Sequence, residues 1–474
     1  MHLNDFLIMR HELLLTVIAV IVLIVDLNLK RDRKTAVIPV ALALFFVNVV
    51  AGFLPAPTGV LFGGMYKTTA LTILMKNVLN IGLFIVMLQS VTWLRRPVIR
   101  EKVSEFFLLL LATLIGMNFM ISSGHFLMLY LGLELATIPI AALAAYIHGV
   151  GRSAEAGIKL ILSSALSSGI LLFGLSMIYG TTGSMYFTGV AAAFTKAPLQ
   201  VLGFIFFFAG MAFKISLVPF HLWTADVYEG APVNVTSYLS VVSKGATVFI
   251  LIIVLYTVFT AIVPIWRDIV YFIAVLTMSI GNLFALRQKN LKRFLAFSSI
   301  AQAGFILLGV VAGSKMGMTS VIYFVLVYIF SNLGAFGVVS AISSVTGRET
   351  IPDYDGLYRT NPKLSLLMML SLFSLAGIPP VAGFFGKFFL FTSAASAGYY
   401  WLVFIAVINA TISLYYYLMV VKAMFINKND NPIEKIKSDL PTRIALILCT
   451  AGIVIIGFYS AIYEAIQRLS IGVF

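Results

Sequence analysis

Apolar runs long enough to cross a lipid bilayer recur from one end of this chain to the other, with only short polar breaks between them. A hydrocarbon core roughly 30 Å thick takes about 20 residues of helix, and helices or closed barrels are the only forms that satisfy every backbone group there. Runs of this length fit helices, so the chain reads as an all-α polytopic membrane protein, a single integral membrane domain over 1–474. About fourteen transmembrane helices are predicted, at 12–29, 36–54, 69–93, 104–121, 125–147, 155–179, 199–221, 235–262, 268–286, 293–313, 318–343, 363–395, 398–424 and 443–465. The first run lacks a basic leading region and a small-residue cleavage pattern, so it reads as a span rather than a signal peptide. Composition agrees: 61% of residues are hydrophobic and 11% charged, where soluble domains carry about 25% charged.

The formal net charge of +14 would suggest nucleic acid in a soluble chain, but here the charges lie between the apolar runs, which is the pattern of membrane orientation. Nucleic acid is therefore excluded as a partner, and the lipid bilayer is the expected one. Alternate gaps hold Lys30 to Lys34, Arg95 to Lys102, Arg152, Arg287 to Arg293, Arg348 to Lys363 and Lys422 to Arg443, twenty-one of the 32 lysines and arginines. Arg10, Lys67, Lys196, Arg267, Lys315 and Arg468 share the other side. One missed or invented helix would scramble this alternation. It predicts both termini on the outer face, which in a bacterial inner membrane is the periplasmic side.

The single cysteine, Cys449, lies in the last run, so the chain offers no internal disulfide, thiolate cage or iron–sulfur cluster and is expected to carry no redox centre. No histidine has metal-ligand spacing. DYDG (353–356) lacks the later ligands of a calcium loop and GTTGSMYFTG (180–189) has no phosphate-binding pattern, so both read as turns.

What remains is charge inside the spans: Lys76, Lys159, Lys214, Lys244, Lys387, Glu134 and Glu155, with Asp26 close enough to a helix end to reach headgroups. A lysine at mid-bilayer costs about 3 kcal/mol on translocon scales, so each needs a reason. Lys214 sits in GMAFKISLVPFH (210–221), where Pro219 and the polar run after it break the helix. Freed carbonyls are tolerated at depth only when buried in protein or facing water, which is the setting of an ion path. His221 can pass protons between Lys214 and solvent, or merely cap freed backbone groups. Lys387 follows a second break, SLAGIPPVAGFFGKFFLF (374–391), which suggests an internal duplication even though lysine precedes proline in one break and follows it in the other.

Glu134, flanked by apolar residues, must be neutral, paired or beside water, and a protonatable carboxylate is the simplest relay element; the alternative is a structural partner for a lysine. Lys244, with Ser240 and Ser243 before it and Gly245 after it, can exchange a proton, since burial favours the uncharged form of an ionisable group, or can simply pair with a carboxylate. Glu155 and Lys159, four apart, are expected to pair on one helix face near the start of the sixth span, with a proton-path role equally open. Lys76, beside Asn77 and Asn80, reads as structural. His125 and His148 mark span ends.

The run KISLVPFHLWTADVYEGAPVNVTSYLSVVSKGA (214–246) resembles the signature of the antiporter-like N subunits of proton-pumping NADH:quinone oxidoreductase, respiratory complex I. NLFALRQKNLKRFLAFSSIAQAGFILLG (282–309), SLAGIPPVAGFFGKFFLF (374–391) and ISLYYYLMVVKAMF (412–425) resemble later signatures of the same family. The sister L and M types and the subunits of multi-component monovalent cation/proton antiporters share the charged-helix plan, but DVYEGAP after HLW, with SVVSKGA behind it, favours the N type.

The resemblance implies two inverted five-helix repeats, 104–262 and 268–424, each containing a broken helix. It implies a central axis of Glu134, Lys214, Lys244 and Lys387 that translocates protons, with Glu134 stabilising protonated Lys214. His221, Glu155, Lys159 and Gln302 are further relay candidates. It also implies that NADH, FMN, iron–sulfur clusters and quinone are held by partner membrane and peripheral subunits of the complex, with no cofactor or metal on this chain. One departure stands out: the family often has histidine in a pattern like SSIAH, and this chain has Gln302 there. Glutamine anchors water but does not titrate, so a relay here must pass Gln302 through water. Three central lysines serve cations other than protons poorly, which separates this reading from an antiporter; a third class, a structural scaffold, would leave the buried charges without a task.

Overall fold

The computed structural model describes residues 3–470. Among them, thirteen helices are long and apolar enough to cross a membrane. The remaining expected run, 363–395, is divided into Pro362–Ala376 and Ala382–Ser396. The run 199–221 is shorter than its apolar length suggests. Its helix, Pro198–Ile215, stops after Lys214 and a separate helix, Leu222–Gly230, follows. The run 443–465 is likewise two helices, Leu440–Phe458 and Ala461–Ser470, parted where Tyr459 turns extended (φ −109°, ψ 91°). A short antiparallel hairpin, Gly59–Leu61 with Tyr66–Thr68, pairs Leu61 with Tyr66 and adds a feature that the helical pattern did not foretell.

The described residues fall into two compact units. The first comprises residues to 84, then 93–215 and 242–266. In it the fourth span (Val103–Ile121) and the fifth (Phe126–Ala144) touch backbone to backbone: a Cβ on Gly116 would lie 2.5 Å from the Ala136 nitrogen. Such close approach between small residues is how membrane helices associate when lipid offers no hydrophobic penalty to separation. The start of the fifth span is pinned by its surroundings. Lys67 N donates to Ser122 O at 2.7 Å, Phe126 N donates to Met185 O at 2.9 Å, and His125 Nδ1 accepts from Leu127 N at 3.0 Å as the helix cap.

The second unit comprises 85–92, 216–241 and residues from 267 onward. The tenth span, Leu291–Ala312, is buried on every face, so it needs no lipid-facing stripe and shows none in its sequence. Asn290 caps it, accepting from Lys292 N at 2.9 Å and Arg293 N at 3.1 Å. DYDG forms part of a turn, the short helix Ile351–Tyr354, with Thr350 and Asp353 as a reciprocal cap.

Candidate functional site

In the first unit, Lys214 occupies the last turn of Pro198–Ile215, where the unpaired carbonyls of a helix end favour a cation. Its ammonium donates to Thr137 Oγ1 and lies 5.9 Å from the centre of the Phe213 ring. Thr137 sends its own hydroxyl proton to Leu133 O in the preceding turn, which leaves its oxygen free to accept from the lysine. Glu134, one turn before Thr137, is half-buried and accepts a hydrogen bond from Ser168 Oγ. Thr137 thus holds the ammonium and Ser168 the carboxylate, each through a hydroxyl.

Lys244 is 4% exposed. It opens the α-helix Lys244–Thr257 directly after a π-helical segment, Leu239–Ser243. Single π turns inside α-helices recur at functional sites. The irregularity lies on the residues before the lysine rather than on Gly245 after it.

Glu155 and Lys159 do meet, at 2.6 Å, but their side chains are 59% and 40% exposed. The i,i+4 spacing gave the contact, while the face it occupies points away from the packed interior, so neither residue is a buried charge. Lys76 moves the other way. It is fully buried, donating to Glu12 Oε1 at 2.7 Å and to Tyr66 OH at 2.9 Å.

In the second unit, Lys387 (4% exposed) reaches back over its own break to donate to Ala376 O at 2.9 Å, with Phe305 beneath its ammonium at 4.5 Å. Ala376 ends the first half-helix, so this lysine also meets the carbonyl end of a helix. Gly377 (φ +87°) and Gly383 make the bend possible: a Cβ on Gly383 would fall 1.7 Å from Ser374 O. Gln302, 1% exposed, donates to the neighbouring carbonyl, Leu375 O, at 2.9 Å and to Tyr417 OH at 3.2 Å. Its Oε1 is buried with no protein partner. Ser298 meets the same tyrosine hydroxyl at 2.5 Å. Gln302 and Lys387 thus bind adjacent carbonyls of one half-helix.

The seventh-run break lies largely in this unit. Ser216 takes a left-handed conformation (φ +66°), a strain of about 1–2 kcal/mol for a non-glycine residue, and its hydroxyl accepts from Thr224 at 2.7 Å. His221 is 6% exposed and gives no side-chain cap to Leu222–Gly230, which disfavours its reading as a cap for that helix. Arg293 binds Asp226 at 2.8 Å and Glu229 at 3.0 Å from the tenth span, so the helix after the break is held by charge. Thr137, Ser168, Glu12 and Tyr66 are the contributors that sequence reasoning missed. Among the described residues no three His, Cys, Asp or Glu side chains gather as a metal site.

Comparison with known proteins adds the context. The transmembrane family described as NADH:quinone oxidoreductase/Mrp antiporter matches residues 123–413. NADH-quinone oxidoreductase subunit N of Phocaeicola vulgatus is 52% identical over 464 residues, covering 98% of both chains. The protein of the same name from Azobacteroides pseudotrichonymphae is 50% identical over 477 residues, covering 100% of this chain and 99% of its own. A chain of respiratory complex I from Thermus thermophilus superposes with a TM-score of 0.82 at 28% identity, over 96% of this chain and 99% of that one. A chain of the Mrp complex from a Dietzia species superposes at 0.85 with 20% identity, over 100% and 98%, a likeness of fold alone.

Proposed function

Because the chain belongs to the NADH:quinone oxidoreductase/Mrp antiporter family of membrane subunits, we propose that it is the N-type membrane-arm subunit of a bacterial NADH:quinone oxidoreductase. It translocates protons through Glu134, Lys214, Lys244 and Lys387, driven by quinone reduction in partner subunits. The observation that carries the proton reading is that both broken spans bring a lysine to the end of a half-helix: Lys214 in the last turn of Pro198–Ile215, and Lys387 on the terminal carbonyl of Pro362–Ala376. The opposite order of lysine and proline in the two breaks is no obstacle to this likeness. A lysine at a half-helix end in each break supports reading 104–262 and 268–424 as a duplicated unit, which we take to be two inverted repeats.

Each lysine holds a proton on Nζ against a short list of acceptors. Thr137 Oγ1 holds that of Lys214 and Ala376 O that of Lys387, while Glu134, fixed by Ser168, supplies the nearby negative charge for Lys214. A shift of the fifth span that moves Glu134 and Thr137 weakens the hold on the ammonium, and the proton passes on. The unpartnered Oε1 of Gln302 offers an acceptor to water beside Lys387's half-helix, so protons pass this non-titrating residue through water. His221 passes protons at the seventh-run break. Glu155 and Lys159 lie outside this path.

NADH, FMN, iron–sulfur clusters and quinone belong to the partner subunits, and this chain carries no redox centre. Both termini face the periplasm. Relatives at 52% and 50% identity are oxidoreductase subunits, whereas the cation/proton antiporter reading has shared fold behind it. Purification of the tagged chain from its native membrane tests the assignment. Flavin- and iron–sulfur-bearing partners are expected to accompany it, and the separated subunit is expected to be colourless. Isolation with antiporter subunits and no flavin, or a stoichiometric chromophore on the separated chain, would overturn it.

A further inference from the structure

The first three spans meet at a polar junction that the lysine axis does not use and that precedes the family-matched residues 123–413. The meeting point is Gly52. Asn77 Nδ2 donates to its carbonyl at 2.8 Å, and His11 Nε2 lies 3.0 Å from Asn77 Oδ1. A Cβ on Gly52 would fall 2.2 Å from that same Oδ1, so any larger residue there would push the Asn77 amide from its place. Beside it Glu12, Tyr66 and Lys76 form a closed triad, in which Tyr66 OH donates to Glu12 Oε2 at 2.8 Å and Lys76 reaches both partners. Their side chains are 2%, 0% and 0% exposed.

One helical turn inward from the junction stand two amides with no use for their polarity. Asn48 precedes Gly52 by four residues on the second span, and Asn80 follows Lys76 by four and Asn77 by three on the third. These intervals put both amides roughly 5–6 Å deeper on the faces that already meet. Asn48 is 1% exposed and Asn80 0%, and both the nitrogen and the oxygen of each lack a protein hydrogen-bond partner. A buried polar atom left unsatisfied costs about 1–3 kcal/mol. Four such atoms beside a His–Asn pair and an ion pair supply the two to four polar partners that a bound water needs.

We propose that the junction of the first three spans is a water-binding site, with ordered water held by Asn48, Asn80 and the His11–Asn77 pair, through which the Glu12–Lys76–Tyr66 triad exchanges a proton. Without water this triad is a sealed salt bridge; with water one turn away it is a second proton-holding centre. The proton-exchange half rests on the proton-translocation reading above, whereas the water half stands apart from it.

The intact complex serves for both measurements. High-resolution density is expected to show water within hydrogen-bond distance of the Asn48 and Asn80 amides, and to lack it in a variant carrying Asn48→Leu and Asn80→Leu. Direct amide-to-amide pairing with no water in the parent would overturn the site. In sealed vesicles, protons taken up per NADH oxidised are expected to be partly lost in the leucine variant and kept in Asn48→Ser with Asn80→Ser, whose side chains are smaller and still polar. Water in the parent with equal proton yield in all three proteins would overturn the exchange role. A parent that takes up no protons would instead refute the function proposed above, and the density still decides the site. If the double leucine protein does not assemble, Asn80→Leu alone is read the same way.

Discussion

Replacing Thr137 with valine removes the hydroxyl that accepts from the Lys214 ammonium while nearly keeping the side chain's shape. Thr137 is 7% exposed, so water does not readily take the vacated place. A hydrogen bond to a charged group contributes about 1.5–3 kcal/mol, which is about a 10- to 150-fold change in how firmly Lys214 holds its proton. The second bond lost, to Leu133 O, is local to the helix and contributes about 1 kcal/mol at most to folding, because that carbonyl keeps its helical partner. Thr137→Val is therefore expected to assemble normally and to lose protons pumped per NADH. Thr137→Ser, which retains the hydroxyl, is expected to pump like the parent. The assay is NADH-driven proton uptake by sealed vesicles, normalised to assembled complex. Equal pumping by parent, valine and serine proteins would refute the claim that this hydroxyl holds the lysine's proton.

Three further outcomes follow from the second unit. Gln302→Leu is expected to interrupt proton flow by removing the buried water acceptor, and Gln302→His to be tolerated; parental pumping by both in the vesicle assay would place Gln302 off the path. Gly383→Ala sets a methyl group 1.7 Å from Ser374 O, so the break must shift, and blue-native gels are expected to show less assembled complex. Phe305→Leu withdraws the ring beneath Lys387, a contribution of about 0.5–2 kcal/mol, and is expected to lower pumping in assembled complex without removing it.

The fourteen runs were legible because a bilayer leaves a spanning helix almost no choice but apolar residues. Glu134, Lys214, Lys244 and Lys387 were legible because a charge in such a run stands out by its cost. Thr137 and Ser168 were not, since membrane helices carry many hydroxyls that satisfy themselves on their own backbone, and nothing in the sequence marks the two that face a lysine and a carboxylate. Glu12 escaped notice at the edge of the first run, where a charge is cheap, although it is as buried as Lys76. Glu155 and Lys159 show the converse, since spacing predicts a contact and says nothing of which face is buried. The hairpin of three-residue strands is too short to carry an alternating pattern, and no residue type announces the π turn before Lys244.

The central claim is that buried lysines of this chain carry protons under power supplied by its partners. The most direct measurement is the number of protons translocated per NADH oxidised by an assembled complex carrying Lys214→Ala, in sealed vesicles beside the parent. Proton translocation and the quinone reduction coupled to it are predicted to fall, with Glu134→Ala behaving alike, because losing either partner leaves the other within its span without a counter-charge. Parental proton yield from an assembled Lys214→Ala complex would contradict the account.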